Sequence, residues 1–383
     1  MYKEAIQDAI SMHELPSKWR SDVLKEADQV AGKKKTAKYR KDLRKLPFAT
    51  IDGEDAKDFD DAVYCIKNSN GYTLYVAIAD VSFYVTPGSK LDKEAKKRGT
   101  SVYFPGTVIP MLPENLSNGI CSLRPNEDRC SMICEMSIGL DGKRKKYKFY
   151  GGLINSKARL TYNQVEKHLN KSSNIKQAGI RDSIKHLKDL TSLRLKLRNQ
   201  RRALEINPKE AIIELNKTKE VENIVIKTSL FAHKLVEESM LLANESAAEF
   251  MQERLGLGVY RIHEDPDPSK LEALKKHFKI PPKVVKKLSP LEVVNLCLEQ
   301  ANKNNDDTGQ ILVLQTLARA EYSTNNLGHF GLQLKQYSHF TSPIRRYPDL
   351  LVHRLINSSL AQKKTQTRQN ELQDECENSS ILE

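Results

Sequence analysis

Cysteine and aromatic residues are scarce in this sequence. The six cysteines are scattered, and Cys130 and Cys134 have three residues between them rather than the two of common zinc and redox pairs. We expect them to be reduced, mostly structural thiols. Aromatic residues make up 7% of the chain and hydrophobic residues 39%, which over 383 residues suffices for one large core or two modest ones. The chain is therefore expected to be globular rather than disordered.

Long apolar segments are also missing. The purest apolar runs, such as residues 74–79, are far too short to span a bilayer, and no early charged-then-apolar segment resembles a signal peptide. We expect a cytoplasmic protein that has no membrane partner.

Acidic residues are outnumbered by basic ones. The chain has 62 Lys and Arg against 49 Asp and Glu, which gives a formal net charge of +13. Such an excess attracts polyanions and displaces their counterions on binding. The composition favours nucleic acid as the partner, and a basic protein without such a partner is the plainer alternative.

Apolar spacing divides the chain into helical and strand-forming segments. Residues 1–30 carry two short helical patterns interrupted near Pro16, and the densely basic residues 33–45 form either a solvated linker or a strip that contacts phosphate. Strand and helix patterns then follow one another, which predicts an α/β or mixed α+β fold. The predicted strands are 47–51, 62–66 and 72–85, and the predicted helices are 183–204, 227–254 (before Gly256 and Gly258), 290–302, 311–322 and 349–362. From residue 363 a polar tail is expected to be helical in part or frayed.

An acidic cluster occupies residues 50–64, which read TIDGEDAKDFDDAVY. Asp52, Asp58, Asp60 and Asp61 would repel one another at close range unless a cation compensates them. Hard oxygen ligands favour Mg²⁺ or Mn²⁺ over Zn²⁺. In a regular strand Asp61 would point away from Asp58 and Asp60, so their convergence requires an irregular loop, which Gly53 helps to form. The simpler alternative is a solvated acidic turn.

A cationic motif occupies residues 337–350, which read YSHFTSPIRRYPDL, just before a predicted helix. Arginine offers a planar fork that binds phosphate at two points and stabilises charge that develops in phosphoryl chemistry. Arg345 and Arg346 are therefore candidate phosphate contacts. The alternative is a surface turn with two solvated arginines.

Together these two motifs resemble the catalytic domain shared by ribonuclease II and ribonuclease R, and the first motif is most similar to the ribonuclease R branch. The resemblance covers nearly everything from about Phe48 onward. It continues through the segments IADVS (78–82), RGTSVYFPG (98–106), RLTYNQV (159–165), AHKLVEESMLLAN (232–244) and YRIHEDP (260–266).

The resemblance implies a twisted mixed sheet wrapped by helices, with a deep channel for single-stranded RNA. It implies a monomeric, magnesium-dependent 3′-to-5′ exoribonuclease (Mn²⁺ a substitute) that works processively in RNA decay and processing and releases 5′-nucleoside monophosphates. An RNA helicase or ribosome-associated factors are possible partners by the same resemblance. On this basis residues 1–46 are expected to be a helical and basic connector, and residues 47–383 the catalytic domain.

Site roles follow from the same resemblance. Asp52, Asp58, Asp60 and Asp61 would form the metal and catalytic centre, with Asp60 the least replaceable, and Arg345 would contact the scissile phosphate while Arg346 contacts RNA.

Three other residues would contact RNA. Tyr103 would stack near the RNA 3′ end, unless it is a core tyrosine. Tyr162 would line the channel and help to sense the ribose 2′-hydroxyl. Glu237 would lie near the terminal nucleotide, and its alternative is a solvent-facing helix position.

The sequence departs from the family pattern at two positions and in extent. Ile206 stands where the family usually has a phenylalanine opposite the stacking tyrosine, so the end-product length could change because an aliphatic side chain has no π face. Phe83 stands where a histidine is frequent. The preceding cold-shock domains and the following oligonucleotide-binding domain are expected to be absent, which should weaken capture of long RNA.

Two other functions compete with this reading. One is a non-catalytic RNA-binding remnant of the same fold, and the intact aspartates and Arg345 argue against it. The other is a different metal-dependent nuclease that cuts DNA or cuts internally, which its products would reveal.

Overall fold

The structure is a computed structural model. It describes residues 2–32, 40–172, 175–206, 211–216, 220–226, 229–281, 283, 287–362 and 369–383. The predicted basic segment 33–45 lies outside the described residues up to residue 39, and the start of the predicted polar tail, 363–368, also lies outside them.

A seven-stranded mixed sheet forms the centre of the fold, with the strand order β1-β8-β7-β4-β3-β2-β9. The pairs β1–β8 and β2–β9 are parallel and the other pairs are antiparallel. Its strands are β1 (Lys41–Asp42), β2 (Ala49–Asp52), β3 (Asp61–Asn68), β4 (Gly71–Ala79), β7 (Asp128–Gly139), β8 (Arg144–Asn155) and β9 (Ala158–Thr161). Three two-stranded pairs join β5 (Val102–Phe104) with β6 (Thr107–Ile109), β10 (Ala211–Leu215) with β11 (Val221–Ile226) and β12 (Tyr260–Ile262) with β13 (Glu321–Ser323).

Helices pack around this sheet and its hairpins. They are α1 (Tyr2–Met12), α2 (Ser21–Ala31), α3 (Val81–Tyr84), α4 (Lys90–Arg98), α5 (Tyr162–Leu169), α6 (Ala178–Gln200), α7 (Phe231–Leu255), α8 (Pro268–His277), α9 (Pro290–Lys303), α10 (Asp307–Thr316), α11 (Tyr347–Leu360) and α12 (Gln369–Leu382), together with a π-helical turn at Asn115–Ile120.

Helix α7 fixes the position of the later site residues because it is buried along much of its length. Ala243 and Ala247 on α7 are fully buried, and the Ser246 hydroxyl lies 3.5 Å from the Met136 sulfur on β7. The helix ends at Gly256, which adopts the left-handed conformation (φ 60°) that favours glycine. Its surroundings explain why α7 shows little amphipathic patterning: neighbouring elements cover it on several sides.

Two hydrophobic clusters organise the interior. The larger unites the central sheet with α2, α6, α7 and α11, and Val23, Ala27 and Val30 of α2 belong to it. The smaller lies among α8, α9 and α10. Helix α9 begins with a reciprocal cap in which Ser289 accepts from the Glu292 backbone N–H and the Glu292 carboxylate accepts from the Ser289 N–H.

The predicted fold class is confirmed, as are the break between two N-terminal helices and the helices that became α6, α7, α9 and α11. Two predicted elements were wrong at their ends. Strand β4 stops at Ala79, and Val81–Tyr84 turns into a helix because Asp80 leaves the strand to pair with Arg40. The helix predicted over 311–322 ends at Thr316, and the residues after it pair as β13 with β12, a long-range contact that local periodicity cannot reveal.

Within the described ranges, no helix is long and apolar enough to cross a membrane.

Candidate active site

A cavity of about 1310 Å³ opens where the acidic loop faces the cationic motif. Its walls are the loop between β2 and β3, the β5–β6 hairpin, the start of α5, the first half of α7 and the turn before α11. Among the described residues, the carboxylate side chains that line it are those of Asp52, Glu54, Asp55, Asp58, Asp60, Asp61, Glu114 and Glu237, and the cationic ones are Lys57, Arg345 and Arg346. The four predicted aspartates and Arg345 therefore meet in one place.

The aspartates reach this cavity because the chain leaves the sheet between β2 and β3. Asp52 ends β2, Asp61 begins β3, and Asp58 and Asp60 lie on the irregular loop between them, as the sequence predicted. Arg159 on β9 holds the loop in place, since its Nη2 donates to the carbonyl oxygens of Gly53, at 2.6 Å, and Glu54.

Backbone donors hold two of the carboxylates. Asp52 Oδ1 accepts from the Gly53 N–H at 2.7 Å, and Asp60 Oδ1 accepts from the Ile344 N–H at 2.8 Å. Asp60 is 5% exposed and so does not lie on a solvated turn, whereas Glu54 and Asp55 of the same segment are exposed. Its Oδ2 is buried and has no hydrogen bond within the described structure.

Burial and mutual repulsion keep these carboxylates from ionising easily. Burial, reinforced by the nearby Asp52, raises the pKa of Asp61 to about 7. Burial raises the pKa of Asp60 well above its usual value, although the Arg345 guanidinium opposes the shift. The pKa of Asp52 is also raised, first by burial and then by Asp58. A compensating cation would relieve this cost.

The two adjacent arginines of the cationic motif face different surroundings. Arg345 is 43% exposed in its side chain, its Nη2 donates to the Ser342 hydroxyl, and its Nε lies 3.7 Å from Asp60 Oδ2. Arg346 also lines the cavity, but its side chain is 16% exposed and its Nη2 donates to the buried Asp349 at 2.8 Å. Arg345 is thus the arginine that is available to a ligand.

Tyr103 and Tyr162 both line the cavity. Tyr103, on β5, is 50% exposed, which is not a core position, and its hydroxyl donates to Asp58 Oδ2 at 2.8 Å. Tyr162 begins α5 and stacks on His233 of α7, with ring centroids 4.1 Å apart and planes at 25°. Burial and the nearby Asp52 and Asp61 raise the pKa of Tyr162, so its hydroxyl stays protonated.

Glu237 projects from α7 into the cavity with 46% of its side chain exposed. Arg198 of α6 donates to its Oε1 at 2.6 Å and to Glu238 Oε1 at 3.3 Å. The acid is therefore oriented by a partner rather than turned to solvent alone.

Several residues of the site escaped prediction. Asn244 lines the cavity, and it donates to the Tyr337 hydroxyl and accepts from the Phe340 N–H, which ties α7 to the cationic motif. Arg159 and His233 act through long-range contacts, and only their places within the segments RLTYNQV and AHKLVEESMLLAN pointed to them. Ile206 packs against the smaller hydrophobic cluster, and it is not among the described residues that line the cavity.

The carboxylate oxygens of the cavity are the ligand type that a hard divalent cation prefers. Among them, Asp60 Oδ2 is a buried acceptor that lacks a donor. As the side chains stand, no group of three or more His, Cys, Asp or Glu in the described part of the chain is spaced to hold an ion. The carboxylates therefore line the cavity as separate groups.

The chain belongs to the RNB domain family, which matches residues 40–362. It is similar to ribonuclease R of Vibrio parahaemolyticus (42% identical, 94% of this chain, 44% of the relative) and of Escherichia coli (42%, 94% and 45%). It is also similar to ribonuclease R of Thermotoga maritima (43%, 93% and 52%). The chain thus spans about half the length of these relatives.

Solved structures agree with this assignment. The fold matches Mycoplasma genitalium RNase R in complex with ribose methylated single-stranded RNA, with a TM-score of 0.91, 32% identity, and coverage of 99% of this chain and 60% of that one. It also matches the same enzyme in complex with double-stranded RNA, with a TM-score of 0.92, 32% identity, and coverage of 99% and 69%. Yeast Ssd1, a pseudonuclease, shares the fold at 18% identity, with a TM-score of 0.73 and coverage of 90% and 43%. The fold alone therefore does not establish turnover.

Proposed function

We propose that this chain carries the catalytic centre of a 3′-to-5′ exoribonuclease that hydrolyses single-stranded RNA processively to 5′-nucleoside monophosphates. The observation that carries the proposal is the meeting of four carboxylates and an available arginine in one cavity. The ribonuclease R relatives support it, and because a pseudonuclease shares the fold, turnover itself must be tested.

Asp52, Asp58, Asp60 and Asp61 are the residues that would hold Mg²⁺, with Mn²⁺ as a substitute. A bound divalent cation would polarise the scissile phosphate and make water a better nucleophile. Asp60 is buried and its Oδ1 accepts from the Ile344 N–H, so the carboxylate keeps one orientation before a cation binds.

Arg345 would bind the scissile phosphate. Its guanidinium lies beside Asp60 and keeps part of its surface open, so a phosphate oxygen could approach it from the cavity. A charged fork fixed beside the reacting group stabilises charge that develops in the transition state. Because Asp349 engages Arg346, any contact of Arg346 with RNA would be the weaker of the two.

Tyr103, Tyr162 and Glu237 would bind the last nucleotides. A half-exposed tyrosine ring offers a face on which a base can stack, worth about 1–3 kcal/mol. Glu237 accepts hydrogen bonds and repels phosphate, so in an RNA cavity it suits sugar hydroxyls. With Tyr162 held on His233, these groups would favour ribose over deoxyribose.

The setting of the reaction is part of the same proposal. We place residues 47–383 in the catalytic domain and residues 1–46 in a connector, and we expect a monomer that acts in cytoplasmic RNA decay and processing. An RNA helicase or ribosome-associated factors are the candidate protein partners.

The test compares linear RNA, circular RNA of the same sequence and linear single-stranded DNA, each with Mg²⁺. Stepwise loss of the linear RNA with release of 5′-monophosphates, and survival of the circle and of most DNA, is the expected result. Internal fragments from the circle would indicate an endonuclease, and efficient DNA cleavage would contradict the ribonuclease assignment. Bound but intact linear RNA would favour the non-catalytic alternative.

A further inference from the structure

Tyr103 joins the β5–β6 hairpin to the acidic loop through one hydrogen bond. Residues of the hairpin line the cavity, and Tyr103 pairs with Val108 in its register. Its hydroxyl donates to Asp58 Oδ2 at 2.8 Å while half of the residue remains exposed. In this bond the phenol O–H is the donor and the carboxylate oxygen is the acceptor.

Asp58 is held differently from its neighbours. Asp52 and Asp60 each accept from a backbone N–H through Oδ1: Asp52 from the adjacent Gly53, and Asp60 from Ile344 in the cationic motif. Asp58 instead depends on a side chain 45 residues away. In the described contacts, neither Asp52 Oδ2 nor Asp58 Oδ1 has a hydrogen-bond donor, and Asp60 Oδ2 has none either. Each of the three carboxylates therefore keeps one oxygen for another partner.

We propose that the Tyr103 hydroxyl positions the Asp58 carboxylate as a ligand of the divalent cation, so that one side chain serves both the RNA and the metal centre. This inference rests on the proposed function, since it assumes a metal centre at the four aspartates. A hydrogen bond to one carboxylate oxygen limits rotation of the group and aims the other oxygen, and loss of such outer contacts typically weakens metal binding 10–100-fold.

The two parts of the Tyr103 side chain then have separable effects. The ring contributes a stacking face, and the hydroxyl contributes the hold on Asp58. Tyr103→Phe removes the hydroxyl and keeps the ring, whereas Tyr103→Leu removes both. A loss that already appears in Tyr103→Phe therefore belongs to the hydroxyl.

A matched control exists elsewhere in the fold. The Tyr147 hydroxyl donates to Glu253 Oε2 at 2.8 Å, the same kind of bond at the same distance, and neither residue lines the cavity. Tyr147→Phe thus removes an equivalent tyrosine–carboxylate bond that has no connection with the aspartates.

Two measurements on the four proteins test the inference. The first is Mn²⁺ affinity without RNA by titration calorimetry, and the second is the affinity for single-stranded RNA in EDTA, where no hydrolysis interferes. Tyr103→Phe should bind Mn²⁺ at least about 10-fold more weakly than the parent. Its affinity for RNA should stay within about twofold of the parent's, because its ring is intact. Tyr103→Leu should lose Mn²⁺ affinity equally and RNA affinity about 5–150-fold, and Tyr147→Phe should match the parent in both.

Equal or tighter Mn²⁺ binding by Tyr103→Phe, beside normal binding by the parent, would overturn the inference and leave the proposed function intact. Weakening of the same size in Tyr147→Phe would also overturn it, because the effect would then be general. A parent that binds no Mn²⁺ would instead contradict the metal centre of the proposed function itself.

Discussion

Two groups of buried charge in this molecule are organised in opposite ways. Within α4 and between α4 and α11 the charges are paired: Arg98 donates to Glu94 at 2.9 Å, and Arg354 to Asp92 at 2.6 Å. In the cavity, the described lining residues include eight carboxylates and three cationic side chains, and Arg345 lies 3.7 Å from Asp60. Paired charges hold elements together, whereas an uncompensated cluster costs stability and is retained where it serves a function.

The boundary between the two groups falls between neighbouring residues. Arg346 turns toward α11 and pairs with Asp349, and Arg345 turns toward the cavity. We propose that arginine stabilises the fold at position 346 and binds the ligand at position 345.

The largest effect is expected for Asp60→Asn. Removing the charge at nearly constant shape should lower the rate of RNA hydrolysis by at least about 10²–10³-fold. Asparagine can still accept from the Ile344 N–H and no longer buries an ionisable group, so in EDTA the variant should be at least as stable as the parent. Single-turnover rates and urea unfolding measure both quantities. A less stable variant with normal hydrolysis would reverse the distinction between the two groups.

Arg346→Gln should act mainly on stability. It leaves Asp349, which is fully buried, without its guanidinium partner, at a cost of about 3 kcal/mol in the free energy of unfolding. Urea unfolding of the variant tests this value. Unchanged stability, together with loss of RNA binding, would move Arg346 into the ligand-binding group.

Arg345→Gln should act mainly on catalysis. The Arg345 side chain is partly exposed, and the substitution removes one weak ion pair. The free energy of unfolding should therefore change little, by about 1 kcal/mol at most. Hydrolysis should slow on the order of 10²-fold, because the phosphate loses its cationic partner. The comparison with Arg346→Gln under identical conditions is the control, and equal loss of stability in both variants would remove the difference between them.

A smaller effect is the pH dependence of stability that arises from His329 and His339. Burial, with help from His263 and Arg261, lowers the pKa of His329 to about 3, and burial and Arg346 lower that of His339 well below 6.5. The unfolded chain takes up protons below pH 6.5 and the folded chain does not, so stability is full above pH 6.5 and falls as the pH drops toward 3. Each such histidine contributes at most about 1.4 kcal/mol per pH unit in that window.

Urea unfolding at pH 7.5 and 5.5 measures this loss. His329→Gln should reduce it, because the substituted side chain does not titrate. A parent protein that is equally stable at both pH values would show that these histidines do not control stability.

The sequence revealed the site as far as its residues are neighbours along the chain. Five aspartates within ten residues, four of them the predicted site residues, and an arginine pair before a helix can be recognised from the sequence alone. The different surroundings of Arg345 and Arg346 could not be predicted, because two identical adjacent residues differ only in what the folded chain places beside them. The Tyr103–Asp58 and Arg159–Gly53 contacts were likewise out of reach, since they cross between separate elements.

The fold shows the same limit. The long helices α6 and α7 were predicted to within about five residues at each end. Errors arose where a tertiary partner ended an element, as Arg40 does at Asp80 and as β12 does for the residues after α10.

The role of the carboxylates is tested most directly by the shortening of a 5′-labelled single-stranded RNA with Mg²⁺. The parent and Asp60→Asn are compared at equal folded and RNA-bound fractions. We expect stepwise shortening by the parent, which EDTA abolishes, and intact RNA with the variant. Equal shortening by both proteins would show that the carboxylate cluster is not the catalytic centre.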